Sequence, residues 1–575
     1  MKSVKQLLFV LLVFLSPLCR RGAGGEAFCQ KILKDTMLNV VKSFQPTIAD
    51  AYKIFDTPVV KDTIPPPPAL NYAINSKKVF TPFNVEPLKP AKMVGEPLTK
   101  LYSSLVKIGA GNYNTPYAEI FYNNLRSKDI SYGVHLKHLS SSATSEGYGF
   151  SGFSDNQVEL YGKKFLRKHT LSGNLDYNRN LVHYYGYDTS AMKAMINSTS
   201  DAIDIRSATK QYYSRIGGNV ALESHYTDSI HANYILKLKY YNLTDHYKSS
   251  ENNLRAEGEF SGYYEKQLVH IPILIDYYAN KFDTMMKGNS TIVALSPYIN
   301  SSGEKWNTRI GMNIAIDAQQ NSNSRFLFYP NIDFNYDVVE NIIVPYAGIT
   351  GGLKRNSLNT LSAENPFIVP NPFMKNTSTK WELYGGVKGS ITKMVSYHAR
   401  TSFSKINDMV FFVNDNSDIF KSGFNTAYDD VTLLNVHGEL QYQHTEKIKF
   451  IAKGDYNKYG MTNELEPWHK PLWQTTLSAN YNLKNKIVMN ADVFAYGKRF
   501  SYSFLQGTGP GINISSTRIN TMKTIVDANL GIEYRYSKKL SAFLNFNNLG
   551  FARYYFWNNY PTYKFNFLLG VSMVF

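Results

Sequence analysis

The chain has little cysteine and no long apolar run after its N-terminus. Cys19 and Cys29 are the two cysteines among 575 residues, too few for a disulfide framework or a cysteine-rich metal site. After the first 20 residues, no stretch is long and apolar enough for a membrane-spanning helix, and the mean hydropathy is −0.30. These absences disfavour a disulfide-stapled protein and a bundle of membrane helices.

Recognisable catalytic motifs are also absent. The sequence contains no Gly-x-Ser-x-Gly elbow, no His-Glu-x-x-His pair and no phosphate-binding loop. The formal net charge is +17, but no clustered basic run or zinc-ligand spacing supports nucleic-acid binding. We therefore expect no enzyme, no catalytic or metal site, no cofactor and no nucleic-acid partner.

The chain is rich in aromatic residues and in strict alternation. It contains 43 Tyr and 34 Phe, and from about residue 101 onward apolar and polar residues alternate in segments of about ten to fifteen, longer than ordinary soluble strands. In the last segment the apolar series is Tyr563, Phe565, Phe567, Leu569, Val571, Met573 and Phe575. A period of two predicts strands with one apolar and one polar face. Aromatics near the segment ends, such as Tyr534 and Trp473, are typical of a membrane interface.

Short and long connections alternate between these segments. Short ones lie at 167–169, 445–447, 483–485 and 537–539, and long ones at 143–155, 180–206, 354–378, 406–428, 458–470, 499–521 and 548–562. Because lipid requires every backbone group to be paired, the strands must close on themselves. We predict an all-β fold, a transmembrane antiparallel β-barrel over residues 101–575 with about 22 strands. In such a barrel the short connections are periplasmic turns and the long connections are extracellular loops. An even number of strands places both termini in the periplasm.

The residues before the barrel fall into two parts. Lys2 and Lys5 precede the apolar run Leu7–Leu15, which predicts a secretory signal peptide over residues 1–25. Residues 26–100 carry apolar residues at helical spacing over 32–55 and the run Pro65–Pro68. We expect a periplasmic segment with a proline-rich linker there. It either lies along or partly fills the barrel, or forms a disordered tether.

Inward-facing polar side chains are the candidates for contact with a solute. They are His135, Lys137, His437, Glu439, Lys449, Lys453, Asp455, Asp492, Asp527, Glu533 and Arg535. Among these residues, His135 and Lys137 share one strand face, and His437 and Glu439 share another. A metal or proton-transfer role is the alternative to wetted lumen residues for these pairs. Both signs of charge are interspersed, whereas a simple ion-selective pore would show an excess of one sign.

Three stretches resemble a known family. "KLYSSLVKIGAGNYNTPYAEIFYNNLRSKDISYGVHLKHLSS", "GFSDNQVELYGKKFLRKHTLSGNLDYNRNLVHYYGYD" and "LSAFLNFNNLGFARYYFWNNYPTYKFNFLLGVSMVF" are similar to the barrels of TonB-dependent receptor-like outer-membrane proteins of Bacteroidetes-type bacteria, over about residues 80–575. The family carries a plug domain and a segment that contacts an energising TonB-type partner, to which Phe55–Thr63 is similar. The chain before the first strand is too short for a full plug, which argues against energised uptake.

The resemblance and the pattern imply an outer-membrane transporter or receptor-like channel for an unidentified solute. The alternative is a structural or binding platform partnered with a surface lipoprotein or secretion component. Its contacts would come from loop aromatics, namely Phe150, Phe153, Phe367, Phe373, Phe411 and Phe412. Further expected partners are outer-membrane lipid, lipopolysaccharide and the barrel assembly machinery. Phe575 resembles the aromatic C-terminus that this machinery recognises and is the predicted assembly signal.

Overall fold

The computed structural model describes residues 100–187, 189, 204–228, 230–265, 267–282, 287–320, 323–415, 422–506 and 515–575. The predicted signal peptide, the proline-rich segment and Phe55–Thr63 lie outside these residues. Among the described residues, no helix has the length and apolar character needed to cross a membrane.

The described residues are mostly strands, with two short helices, α1 (Ile205–Ala208) and α2 (Leu358–Glu364). The first strands are β1 (Ser104–Gly111), β2 (Thr115–Asn123), β3 (Ile130–Ser141), β4 (Phe153–Phe165), β5 (His169–His183), β6 (Lys210–Ser224), β7 (Asn233–Asp245), β8 (Ser250–Tyr264), β9 (Gln267–Lys281), β10 (Lys287–Leu295), β11 (Tyr298–Ser302), β12 (Trp306–Gln319) and β13 (Arg325–Tyr336). The remaining strands are β14 (Val344–Lys354), β15 (Thr377–Thr392), β16 (Val395–Asn414), β17 (Phe424–His444), β18 (Ile448–Met461), β19 (Trp473–Leu483), β20 (Ile487–Tyr496), β21 (Arg499–Gln506), β22 (Ser515–Met522), β23 (Ile525–Arg535), β24 (Leu540–Asn547), β25 (Tyr555–Trp557), β26 (Tyr560–Pro561) and β27 (Asn566–Val574).

Twenty-three of these strands form one antiparallel sheet, and the sheet closes where β1 pairs with β27. Both β10 and β11 pair with β9 and β12, so they are two parts of one strand, interrupted at Ser296 and Pro297. Proline has no N–H to donate to a neighbouring strand, which explains the interruption. Counting the pair once gives 23 − 1 = 22 strands. The predicted 22-stranded antiparallel barrel is confirmed.

The connections differ at the two ends of the barrel. At the end that also holds Ser103 and Phe575, the turns between strands are short, for example from Thr392 to Val395. All seven long connections lie at the opposite end, as predicted, and we call this the long-loop end. Four other connections there are short, such as the one between Gly111 and Thr115.

A belt of exposed apolar side chains covers the outside of the barrel. Its members alternate along the strands with inward side chains and include Leu175, Ile216, Leu383, Phe403, Leu477, Val526 and Leu569. These side chains are more than 40% exposed in the isolated chain, an arrangement that is stable only against a lipid phase.

Two details of the predicted strands were wrong. The predicted loop 406–428 is mostly strand, because β16 continues to Asn414 and β17 begins at Phe424. Tyr563 was expected to continue the outward series of the last strand. It precedes β27, and its hydroxyl donates to the carbonyl oxygen of Ser151 at 2.7 Å, because the chain here has left the sheet and packs among the loops.

Candidate functional site

One long loop folds into the mouth of the barrel. Residues 355–376 join β14 to β15, and we call them the mouth loop. The loop contacts Tyr213 of β6 and Glu251 of β8 on one side of the barrel, and Phe424 of β17 on the other. Tyr213 alternates with the exposed belt residue Ile216 along β6, so it lies on the inner face. The mouth loop therefore packs against the inner wall.

Helix α2 gives the mouth loop its rigid part. Ser357 caps the helix through a capping box: its hydroxyl accepts from the Thr360 N–H at 3.3 Å, and its own backbone N–H donates to the Thr360 hydroxyl oxygen at 2.8 Å. Leu358 and Leu361, one turn apart, are 0% and 1% exposed. The sequence folds here as a short helix because a polar cap precedes two apolar residues at helical spacing.

A buried carboxylate joins this helix to the wall. The Glu251 carboxylate accepts from the backbone N–H of Leu358 at 2.7 Å and of Asn359 at 3.3 Å, and from the Tyr241 hydroxyl at 2.7 Å. Glu251 is 0% exposed. Because a buried carboxylate is stable only when its oxygens are paired, the helix and the wall hold each other in place.

The two ends of the mouth loop are fixed by polar contacts. At its start, the Arg355 guanidinium lies 3.7 Å from the centre of the Tyr278 ring and donates to the Asp276 carbonyl oxygen at 2.9 Å. At its end, the Asn376 amide donates to the Asp317 carboxylate at 2.8 Å. The Asn356 amide donates to the Lys375 carbonyl at 2.8 Å and so joins the two ends directly.

The tip of the mouth loop lies among aromatic side chains from distant parts of the chain. Ile368 forms a parallel bridge with Phe424, and its carbonyl accepts from the Tyr184 hydroxyl at 2.6 Å. The Phe367 ring stacks on Tyr560 with 3.8 Å between the ring centres. Loops that follow β5, β16 and β24 thus meet at this tip and share one apolar cluster.

A second apolar cluster lies beside the first and is built from Phe411, Val431, Trp468 and Phe500. Next to it, His469 has Nδ1 3.0 Å from the Phe412 carbonyl, and its Nε2 accepts from the Asn558 N–H at 3.3 Å. Burial lowers the pKa of His469 to about 3. A neutral ring with one donating and one accepting nitrogen satisfies both contacts, so His469 is a structural link between loops.

Asp429 holds the loop that follows β18. Its carboxylate accepts from the backbone N–H groups of Thr462, Asn463 and Glu464 at 2.9 to 3.0 Å. Burial alone would raise the pKa of Asp429, but these N–H donors lower it overall. The charged form is the one that binds the loop.

The turn between β7 and β8 also holds the mouth loop. The Ser249 hydroxyl donates to the Pro370 carbonyl at 2.8 Å, and Asp245 accepts from the Ser249 N–H at 2.7 Å. Burial raises the pKa of Asp245 to about 6. This carboxyl therefore gains its charge at a higher pH than an ordinary aspartate.

A cavity of about 490 Å³ lies beneath the mouth loop, lined in part by Phe367 at the loop tip. Its floor is a row of inward asparagines on neighbouring strands, Asn529, Asn547 and Asn566, and aromatic rings such as Phe153 and Tyr563 line its sides. A concave site of this size, with rings and a few polar groups, is the usual form of a small-molecule site.

The predicted inward residues of β3, β17 and β18 pair across strands. His135 lies 3.1 Å from Glu119 and stacks on Phe121, Lys137 pairs with Asp155 at 3.3 Å, and His437 pairs with Asp455 at 2.8 Å. Glu439 lies opposite His398 and Lys453, and Lys449 lies opposite Gln443 and Asn480. Within the described residues, no group of three or more His, Cys, Asp or Glu could hold a metal ion.

The other predicted inward residues lie on β20 and β23. Asp492 accepts from the Ser478 hydroxyl at 2.5 Å, and Glu533 pairs with Arg535 at 3.0 Å. Asp527 accepts from the Tyr554 hydroxyl at 2.8 Å, next to the cavity. A role for any of these eleven residues in contacting solute stays a prediction.

The loop aromatics of the platform hypothesis mostly pack against other loop and strand residues. Phe411, Phe412 and Phe367 are 0%, 1% and 9% exposed, and Phe150 packs against His183 and Arg206. Phe373 is the member that stays exposed, at 64%. Their main role is to join the loops.

The sequence predicts the long connection 354–378, but it does not predict that this loop folds into the barrel, nor the roles of Glu251 and the asparagine row. A signal for α2 was present in "SLNTLSAEN", where Ser357 precedes two leucines at helical spacing. No local signal could place that helix inside the barrel, because its partner Glu251 lies 107 residues away in the chain.

Comparison with known proteins supports the fold. No protein-family model and no curated protein matches the chain. Among solved structures, the chain is similar to the siderophore receptor PirA from Acinetobacter baumannii, with 12% identity, a TM-score of 0.62, and 84% of this chain and 81% of that chain covered.

Two further solved structures give the same result. The FrpB iron transporter from Neisseria meningitidis has 10% identity and a TM-score of 0.62, with 83% and 82% of the two chains covered. The ferripyoverdine receptor of the outer membrane of Pseudomonas aeruginosa, bound to ferripyoverdine, has 12% identity and a TM-score of 0.60, with 84% and 72% covered. The fold is that of outer-membrane receptor barrels.

Proposed function

We propose that this chain is an outer-membrane transporter or receptor-like channel, with the mouth loop as its gate at the long-loop end. The observation that carries the proposal is the mouth loop itself, which is fastened to the inner wall at both ends and through α2. A barrel that served only as a platform would gain nothing from an ordered element inside its mouth.

The two faces of the barrel support a membrane channel. The outer face presents the apolar belt, whereas the inner face carries charged and amide side chains such as Lys137, Asp492 and Arg535. Apolar-out and polar-in alternation is what a water-filled passage through lipid requires.

The solved structures named above include an iron transporter and a receptor of the outer membrane that binds ferripyoverdine. At 10 to 12% identity they support the architecture and the outer-membrane setting that we propose, and they leave the solute open. We place the turns and Phe575 on the periplasmic side and the long loops outside, in contact with lipopolysaccharide. The platform function is not carried forward, because the loop aromatics that would serve a partner are mostly buried.

Single-channel conductance of the purified full chain in a planar bilayer tests the proposal. We compare the wild type with a variant in which residues 357–374 are replaced by a short Gly-Ser linker. The linker is sterically reasonable because Asn356 and Lys375 are already in hydrogen-bond contact. A third variant also lacks residues 26–100.

We expect a closed wild-type trace and stable conductance after removal of the mouth loop, with or without residues 26–100. The matched control replaces the exposed turn 337–343 at the opposite end with the same linker and should stay closed. A closed trace in the variant that lacks both segments, with the barrel still folded by its heat-modifiable gel mobility, would refute a channel.

A further inference from the structure

The cavity beneath the mouth loop has an uncharged lining. Its fifteen lining residues include no Asp, Glu, Lys or Arg, although these four types make up 19% of the sequence. His183 is the one lining residue whose side chain could gain a charge near neutral pH, and burial lowers its pKa. The rest of the inner wall carries many ions, so this site differs from its surroundings.

The asparagine row offers free hydrogen-bonding groups of both kinds. Asn547 donates to the Asn566 side chain at 2.9 Å, and the Asn529 side-chain oxygen accepts from the Asn548 N–H at 3.2 Å. Among the described residues, neither the Asn529 amide nitrogen nor the Asn547 amide oxygen has a protein partner. One donor and one acceptor on neighbouring strands match a hydroxyl or an amide, which both donates and accepts.

Asn548, next in the chain, is different. Its amide nitrogen donates to the carbonyls of Ala552 and Tyr563, at 2.7 and 2.8 Å, and its side-chain oxygen accepts from the Ala552 N–H at 3.1 Å. Both its amide nitrogen and its amide oxygen therefore bond within the loop that follows β24. It therefore positions Tyr563 and does not contribute to binding.

The aromatic sides of the cavity are held in fixed orientations. Tyr563 donates to the Ser151 carbonyl at 2.7 Å, Tyr554 to the Asp527 carboxylate at 2.8 Å, and Tyr185 to the Pro561 carbonyl at 3.0 Å. With their hydroxyls engaged by protein, these rings present apolar surface to the cavity. Rings fixed before binding lose little conformational entropy when a ligand arrives.

We propose that this cavity binds an uncharged molecule that carries hydroxyl or amide groups and one apolar face. The ligand would be about the size of a disaccharide, because small-molecule sites typically have volumes of about 300–1,000 Å³. The proposal rests on the proposed function, since the cavity lies under the gate and on the inner wall. A charged ligand would lose its hydration shell and find no counter-ion in the lining, which disfavours it strongly.

Isothermal titration calorimetry with the full chain in detergent tests this proposal with matched probes. The uncharged probes are cellobiose and N,N′-diacetylchitobiose, and their ionised counterparts are cellobionate and chitobiose. We expect measurable binding of at least one uncharged sugar and at least tenfold weaker binding of its ionised counterpart. Absence of binding by both uncharged sugars, or equal binding of the charged ones, overturns the proposal.

The variant Asn529→Asp adds a charge without changing the shape of the side chain and keeps the oxygen that accepts from Asn548. We expect uncharged sugars to bind about tenfold more weakly to it, roughly the loss of one hydrogen bond plus burial of a charge, and cationic chitobiose to gain affinity. The control is Asn490→Asp, an inward asparagine of β20 that does not line the cavity. An equal effect in the control overturns the assignment.

Binding is measured without flux, so the two proposals fail separately. If no conductance appears but the sugars bind as expected, the ligand site is supported and the channel function is refuted. If conductance appears and no uncharged sugar binds, the channel stands and this cavity is not the ligand site.

Discussion

Replacing Glu251 with alanine tests how strongly one buried carboxylate contributes to holding the mouth loop closed. The change removes the acceptor of three donors, the Leu358 and Asn359 N–H groups and the Tyr241 hydroxyl. A buried donor left unpaired costs about 1–3 kcal/mol. Removing a buried charge returns part of this cost, so we expect the docked loop to lose about 2–4 kcal/mol.

The expected consequence is a large rise in open probability. At about 1.4 kcal/mol per tenfold change in an equilibrium constant, the docked fraction falls relative to the open one by roughly thirty-fold to a thousand-fold. Single-channel recording at fixed voltage counts the openings directly, and the rest of the barrel supplies the conductance.

The control is Glu257→Ala on the same strand and the same inner face. Glu257 pairs with Lys239 and Arg255 of the wall and has no contact with the mouth loop, so its loss should leave the open probability near that of the wild type. If Glu251→Ala stays as closed as the wild type while the variant without the loop conducts, Glu251 does not hold the gate.

Three further predictions concern the loops and the seam. The pKa of Asp245 is raised from 3.8 to about 6, so the folded turn binds a proton more tightly than the open turn. The stability of the turn is therefore full below pH 4, falls by roughly 3 kcal/mol as the pH rises to about 6, and is constant above that. The protection of the Ser249 amide from hydrogen exchange should follow this pH dependence, and Asp245→Asn should abolish it. Asp429→Ala leaves three N–H groups of the loop after β18 without their acceptor, so we expect faster proteolysis within residues 462–472. The control Asp430→Ala should change the proteolysis rate little. Equal protease resistance in both variants would contradict the role of Asp429. Deletion of Phe575 removes its backbone bonds to Ser103 and Ser104 and the predicted assembly signal, so barrel insertion should slow, as pulse-labelling of heat-modifiable protein would reveal; normal surface levels would count against it.

The barrel was predictable because its constraint is simple. Where a strand faces lipid on one side and water on the other, each residue reports its own environment, as Val526 and Asp527 do on β23. A sheet in lipid has no stable edge, so alternation implied closure, and counting segments gave the number of strands.

Alternation fails above the belt, and there the prediction failed too. Val410, Phe411 and Phe412 are all buried although they are consecutive in β16. Both faces of the strand are covered by loops at this level, so apolar residues follow one another and the period of two disappears. Without that period, the sequence predicts a loop where β16 and β17 extend.

The cavity and the gate were beyond the reach of the sequence for a different reason. Phe367 and Tyr560 stack across 193 positions of chain, and the asparagine row combines residues of three strands. Such contacts depend on which loops turn inward, and this is decided by packing among loops and not by any one segment.

The seam between β1 and β27 has a consequence for how the chain is made. Seven residue pairs join the first strand to the last, from Leu105 with Val574 to Gly111 with Leu568. Until β27 has been synthesised, one edge of β1 has no partner in the barrel, and a chain truncated before β27 cannot supply one. The barrel can therefore close only when β27 is available, and a chain truncated before this strand keeps open sheet edges that proteases can recognise. Barrel closure thus distinguishes chains that contain β27 from truncated chains.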